Sequence, residues 1–294
     1  MARVGWIGLG AMGGPMAAVV ARAGHAVKAF DTNLDAVAGA SRDGVAAATD
    51  VADAARDVDV LALMVATPAQ AESVLFGKDG AAAELRQGAV VLVMATVGPG
   101  PVQHWSERLA PLGVEVVDAP VSGGVTRAAD GDLLVMVSGN TGALAVSQPL
   151  LDAMARTAPV VGAEPGAGQK VKLVNQLLCG VHIAVAAEAL AFAESMGLDA
   201  GRTWEVLRHG AAASFMLDDR GARMVDDTSD EVRSALDIFV KDMGLVLGAA
   251  RDYAYPAPLA SASEQLYTAG RRAGLGRRDD SSVIDVLRGR AVVG

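Results

Sequence analysis

Cysteine is nearly absent: Cys179 is the single one in 294 residues. No disulfide can close within the chain, and no cysteine-rich metal site can form. The four histidines, His25, His104, His182 and His209, lack ligand spacing, so no metal site is expected. Basic residues are in deficit, 25 Lys and Arg against 34 Asp and Glu, for a formal net charge of -9. Phosphate contacts need a basic surface, so no nucleic-acid partner is expected. Long uninterrupted apolar runs are missing too. The longest candidate begins at Leu173 and is broken by Asn175, Gln176, His182 and Glu188. A membrane span needs about 20 predominantly apolar residues, so none is expected despite a mean hydropathy of +0.33. No signal-like segment precedes the strand-like start at Arg3-Val4, and a cytoplasmic location is expected.

What the chain does have is 52% apolar residues, mostly small or branched, and 34 glycines. Disorder is excluded by that content. The length suits two domains. Apolar runs of strand length recur at 2–8, 26–31, 59–65, 89–95, 114–120, 132–139 and 158–163, separated by helix-like stretches. Short branched runs without strict alternation are what parallel strands covered on both faces look like. From Gly168 onward the period changes to about 3.6, which predicts one long helix over 168–196. Further helices are predicted near 200–209, 241–252, 257–273 and 281–288. The expected architecture is α/β: a mostly parallel sheet domain over 1–165, then an all-helical domain over 166–294, with the long helix between.

Gly8-Leu9-Gly10-Ala11-Met12-Gly13 fits G-x-G-x-x-G. It follows a strand, opens a helix and lies in a βαβ unit, and Asp31 ends the next strand 23 residues after Gly8. That context is the Rossmann dinucleotide fingerprint. Gly8 permits the tight turn, Gly10 leaves room for a pyrophosphate, and Gly13 lets the helix approach the sheet. The helix N-terminus supplies amide groups for the phosphates. Asp31 can accept hydrogen bonds from ribose hydroxyls and repels a 2'-phosphate. Thr32 and Asn33 bring no compensating charge, so NAD is expected over NADP. FAD and S-adenosylmethionine also use glycine-rich turns and are the weaker readings.

The opening GLGAMGGPMA resembles the signature of the 3-hydroxyisobutyrate dehydrogenase family, the β-hydroxyacid dehydrogenases. Four later blocks agree in order: Ala95-Thr96-Val97, Asp118 to Gly124, Gly166 to Gln176, and Lys241-Asp242 with Gly244-Leu245. Three stretches, 175–199, 234–247 and 274–287, look particularly like the L-threonate dehydrogenase branch. The resemblance implies a Rossmann domain followed by a helical domain. It implies a homodimer or homotetramer, and a small hydroxy acid, a sugar acid, as substrate. Relatives in the family reduce tartronate semialdehyde, oxidise 3-hydroxyisobutyrate or reduce imines, and the shared blocks do not separate these.

By resemblance the catalytic lysine is Lys172, with Asn175 orienting it or the substrate oxygen. Lys170 is the competing candidate. Residues two apart on a helix do not share a face, whereas Lys172 and Asn175, three apart, do. A desolvated amine near the substrate hydroxyl can accept its proton, and the ammonium can return it. Ser122, Gly123 and Gly124 are assigned to the substrate carboxylate; a structural turn after Pro120 is the other reading. Thr96 is assigned to the nicotinamide ribose or the substrate. Met64 and Val65, Phe239 and Lys241 complete the expected cofactor residues, with Pro68 shaping the preceding loop near the cofactor. A surface position is the alternative for Lys241, and a helix cap for Asp242. Gln176 could add a polar contact. His182, seven residues after Asn175, either reaches a distal substrate hydroxyl or is a bonded core histidine. Cys179 is expected to be buried. A nucleotide sensor of the same fold could dispense with Ser122, Lys172, Asn175 and Lys241, and all four are present.

Overall fold

The computed structural model describes residues 1–226 and 231–290; residues 227–230 and 291–294 of the expected second domain lie outside them. Elements run β1 (Arg3–Ile7), α1 (Gly13–Arg22), β2 (Ala26–Phe30), α2 (Leu34–Arg42), β3 (Ala46–Ala47), α3 (Val51–Ala55), β4 (Val60–Leu63) and α4 (Pro68–Phe76). They continue through β5 (Val90–Val93), α5 (Pro99–Leu109), β6 (Glu115–Asp118), β7 (Val121–Ser122), α6 (Gly124–Asp130), β8 (Leu133–Val135), β9 (Val137–Ser138) and α7 (Thr141–Met154). Then come β10 (Ala155–Thr157), β11 (Val160–Gly162), α8 (Ala167–Ser195), α9 (Ala200–Leu207), α10 (Phe215–Val225), α11 (Leu236–Asp252), α12 (Pro258–Arg272) and α13 (Ile284–Leu287). The chain divides into two compact units, Met1–Lys172 and Leu173 onward.

In the first unit an eight-stranded sheet runs β11-β9-β6-β5-β4-β1-β2-β3. Neighbours from β3 through β2, β1, β4 and β5 to β6 pair in parallel, and β6 with β9 is antiparallel. Strand order reverses between β1 and β4, and ligands of such sheets bind beyond the strand ends at that switch. Side chains of one strand alternate between two buried faces. Val60, Ala62, Val90 and Leu92 join one core with Trp6 and Met16. Leu61, Leu63, Val91 and Val93 join the other with Ile7 and Trp105. Burial on both faces is why these runs read as continuously apolar.

The run at 132–139, expected as one strand, is two. Leu133–Val135 pairs with β7 and β10 in a separate three-stranded sheet, and Val137–Ser138 returns to the large one. Met136 is the crossing point, its N–H donated to Pro120 O at 3.0 Å. The strands β3, β7 and β10, two or three residues each, are too short to show a period.

The second unit is all-helical among its described residues. Ile183, Ala186, Ala187 and Leu190 of α8 share one core with Phe239 and Met243 of α11 and Tyr267 of α12. Phe239 stacks on Tyr267 at 5.4 Å, and the buried Tyr267 hydroxyl donates to Gly180 O at 2.7 Å. Helix α10 has no counterpart in the sequence reading, and α11 begins five residues before the expected 241. By length and composition alone, α8 could cross a membrane, with a mean hydropathy of 1.7 in its most apolar window. Averaging hides the isolated polar residues that break its apolar runs. Here it serves as the core helix of a helical unit, with Gln176 hydrogen-bonded to the buried Asp242.

Candidate active site

The glycine turn is held by its own backbone. Gly8 has φ +97°, and a Cβ there would sit 2.4 Å from Met64 O; one on Gly13 would sit 2.0 Å from Gly8 O. Gly8 and Gly13 are therefore fixed by packing, at the meeting of the β1 and β4 loops. Gly10 differs, because a Cβ there meets nothing within 4 Å. The fold does not demand that glycine, and its bare backbone leaves room for a bound group. Leu9 is buried, while Gly10 and Ala11 are exposed. Met12 precedes α1 without a side-chain cap. Open backbone beside a helix start fits a dinucleotide pyrophosphate.

Asp31 does more than end β2. One carboxylate oxygen accepts the Leu9 N–H at 2.6 Å and the other accepts Asn33 N–H at 2.8 Å. The acid thus ties the glycine turn to the entry of α2, where Asn33 accepts the Asp35 N–H as N-cap. Trp6 adds a second tie, its indole N–H donated to Gly8 O at 3.0 Å. Met64 and Val65, both half-buried, follow β4. Pro68 opens α4 behind a Thr67–Gln70 capping box.

Two residues that the sequence reading leaves unassigned organise the other strand ends. Asp118, fully buried at the end of β6, accepts hydrogen bonds from Gly166 N at 3.0 Å, Gln169 N at 2.9 Å, Gln169 Nε2 at 2.9 Å and Ser138 Oγ at 3.3 Å. Ser138 Oγ in turn accepts Gly168 N–H at 2.9 Å. The start of α8 is capped from residues distant in sequence, satisfying N–H groups that a helix leaves open. Burial pushes the Asp118 carboxyl up from its ordinary range, and these four donors oppose that shift. Gly168 is required here: a Cβ would lie 2.5 Å from Met136 O and 2.9 Å from Asp118 Oδ2. We expect Gly168→Ala to destabilise the first unit by about 1–3 kcal/mol, as overpacking does, read as a lower urea midpoint.

The amide of Gln169 is also fully used. Oε1 accepts Val97 N–H at 2.9 Å and Gly98 N–H at 3.0 Å, and Nε2 donates to Ala95 O at 3.0 Å. Half-buried Thr96 lies between those contacts. Lys172 follows one turn later on α8, 6% exposed, whereas Lys170 is exposed. Ser122 closes β7, opposite Leu134. Gly123 and Gly124, with φ of +149° and +79°, lead into α6, in backbone that favours glycine.

In the second unit, Asn175 donates to Gln176 Oε1 at 2.8 Å, and Gln176 donates to Asp242. Lys241 Nζ lies 2.8 Å from Asp242 Oδ1. Asn175, Gln176, Asp242 and Lys241 thus form one polar chain linking α8 to α11. Asp242 does not cap a helix; it sits in the second turn of α11, because that helix starts at Leu236. Cys179 is half-buried rather than buried, its sulfur 3.4 Å from Asn175 Nδ2. His182 is half-buried on α8, and Phe239 lies in the helical core. Within the stretch 274–287, Asp279 accepts Arg233 N–H and Ser281 N–H, and Asp280 pairs with Arg220 at 3.1 Å. Among the described residues, no group of three or more His, Cys, Asp and Glu could hold a metal ion.

A mostly parallel sheet with an open glycine turn at its switch point is a Rossmann dinucleotide-binding domain. The sequence model for the NAD binding domain of 6-phosphogluconate dehydrogenase matches residues 3–167. That for the NAD-binding domain of NADP-dependent 3-hydroxyisobutyrate dehydrogenase matches residues 166–287. The chain belongs to the 3-hydroxyisobutyrate dehydrogenase family, the β-hydroxyacid dehydrogenases. It is 41% identical to an L-threonate dehydrogenase of Cupriavidus necator, over 97% of this chain and 96% of that one. It is 39% identical to an L-threonate dehydrogenase of Escherichia coli K12, over 99% and 96%. A crystal structure from Salmonella typhimurium described as a 3-hydroxyisobutyrate dehydrogenase superposes with a TM-score of 0.92 at 40% identity, covering 97% of this chain and all of that one.

Proposed function

We propose that this enzyme oxidises the C2 hydroxyl of a small hydroxy acid, L-threonate above all, with NAD as hydride acceptor and Lys172 as acid/base. The carrying observation is the buried Lys172, one turn beyond a fully bonded anchor at the strand ends. Bound NAD supplies the acceptor for the C2 hydride. The Lys172 amine takes the hydroxyl proton as the carbonyl forms and later releases it to water. Asn175, one turn further along the same helix, orients the reacting oxygen. Ser122 and the amides of Gly123 and Gly124 hold the substrate carboxylate, as a hydroxyl beside glycine N–H groups can. Thr96 contacts the nicotinamide ribose or the substrate. Asp31 binds the adenosine ribose and sets the preference for NAD, with Gly8 to Gly13, Met64, Val65, Phe239 and Lys241 as the remaining cofactor residues. His182 reaches a distal hydroxyl of the acid.

Relatives of nearly equal identity carry two substrate names, so a second reading, 3-hydroxyisobutyrate oxidation, is kept. The test is NADH formation with L-threonate, D-threonate, glycerate, 3-hydroxyisobutyrate and L-serine, and NADH consumption with tartronate semialdehyde. Highest kcat/KM on L-threonate supports the reading. Highest kcat/KM on 3-hydroxyisobutyrate selects the second, and no turnover of any of them overturns both.

The same reading takes the enzyme to be cytoplasmic and a homodimer or homotetramer. Val174, Leu178, Val185 and Phe192 are 49% to 62% exposed, and their spacing puts them on one face of α8. Light scattering should give a multiple of the chain mass, and Leu178→Glu should lower it. A monomeric parent chain would contradict this.

A further inference from the structure

We propose that Gln169 is a positioning residue, whose side-chain amide locks the Thr96 loop to the helix turn that carries Lys172. The proposal rests on the roles given above to Thr96 and Lys172. Its geometry stands apart from them. A primary amide offers two N–H donors and an acceptor oxygen with two lone pairs. At Gln169 all four are used on two separate segments: Ala95 O, Val97 N–H and Gly98 N–H on the loop after β5, and Asp118 Oδ1 at the end of β6. The loop contacts bracket Thr96 on both sides, as a neighbouring strand would. The same residue's backbone N–H is held by Asp118 Oδ2, so main chain and side chain share one anchor. Gln169 and Lys172 are three apart and lie on the same helix face.

A core that merely needed filling would accept a methionine or leucine here, without four directional bonds. The bonds fix the loop and the helix turn relative to each other. Placement matters because an error of about 1 Å can cost about 100-fold in rate. Gln169 needs to touch neither substrate nor cofactor to do this.

Gln169→Glu keeps the shape and changes only the donors. With its proton, the introduced carboxyl still accepts from Val97 and Gly98 and donates to Asp118. Once ionised, it sets a second oxygen against Ala95 O and the Asp118 carboxylate. The charged groups around it are Asp118 on β6 and, on its own helix, Lys172 one turn on and the exposed Lys170. Gln169→Met keeps the volume and removes every bond.

The experiment uses the full-length protein. Amide hydrogen exchange of the unliganded protein follows Val97, Gly98 and the first turn of α8. NAD binding is measured by calorimetry, and kcat against pH with L-threonate and NAD. We expect Gln169→Met to exchange faster at Val97 and Gly98 at every pH, and Gln169→Glu to do so once its carboxyl ionises, with NAD affinity within about twofold of the parent and kcat down roughly 10- to 100-fold in those states. Gln169→Glu should gain a new limb, with kcat falling as pH rises, and Gln169→Met should not. Unchanged exchange at Val97 and Gly98 in Gln169→Met would overturn the lock, as would a Gln169→Glu profile parallel to that of the parent. Lys172→Ala, run alongside, separates the two levels. Retained turnover there removes the assigned acid/base, while the exchange data still decide whether Gln169 fixes the loop.

Discussion

Lys172→Ala is expected to lower kcat by about 10²–10⁴-fold, the usual contribution of a positioned acid or base. NAD affinity should stay within about twofold, because the glycine turn and Asp31 are untouched. In the parent enzyme the amine takes the hydroxyl proton, and the variant has no group there to take it. Steady-state rates and calorimetry with NAD check both halves. A lysine that served only packing would cost stability and leave kcat in place. Asn175→Ala should have a smaller effect, since it removes an orienting group rather than the proton acceptor.

Asp31→Ala is the second large effect. A hydrogen bond to a charged acceptor is worth about 1.5–3 kcal/mol, or about 10- to 100-fold. The side chain holds Leu9 N–H and Asn33 N–H, and in the proposed complex it also takes the ribose. Loosening the turn alone would weaken NAD and NADP equally. Removing a carboxylate that repels a 2'-phosphate would shift the ratio of their kcat/KM values toward NADP. We expect both: weaker NAD binding by about 10- to 100-fold, and an NADP to NAD ratio raised by at least about tenfold. An unchanged ratio would assign Asp31 to the turn alone.

Local signals were the legible ones. The strand, glycine turn, helix and acid-ended strand over residues 3–31 lie within a short stretch, and each glycine's spacing carries its own constraint. The long helix could be read because 29 residues hold one period. Where the chain meets itself far along the sequence, the reading thinned. Asp118 and Gln169 are 51 residues apart, and nothing local marks the pair. A hint was present in Gly166 and Gly168: the Gly166 N–H reaches Asp118, and the missing Cβ of Gly168 lets α8 approach it. The first turn of α8 is bonded to the sheet, and the first compact unit runs to Lys172. The same limit explains Asp242. Its partner Gln176 is 66 residues away, and without the true start of α11 it read as a cap. Helix α10 was within reach, since Ser214 is its N-cap.

The central claim is that a hydride leaves C2 of a small hydroxy acid for NAD. L-threonate deuterated at C2, oxidised by the enzyme with unlabelled NAD, tests it in one measurement by NMR of the reduced cofactor. One deuterium is expected at C4 of the nicotinamide ring, together with a slowed hydride step. Reduced cofactor without deuterium would place the oxidation at another carbon and contradict hydride transfer from C2.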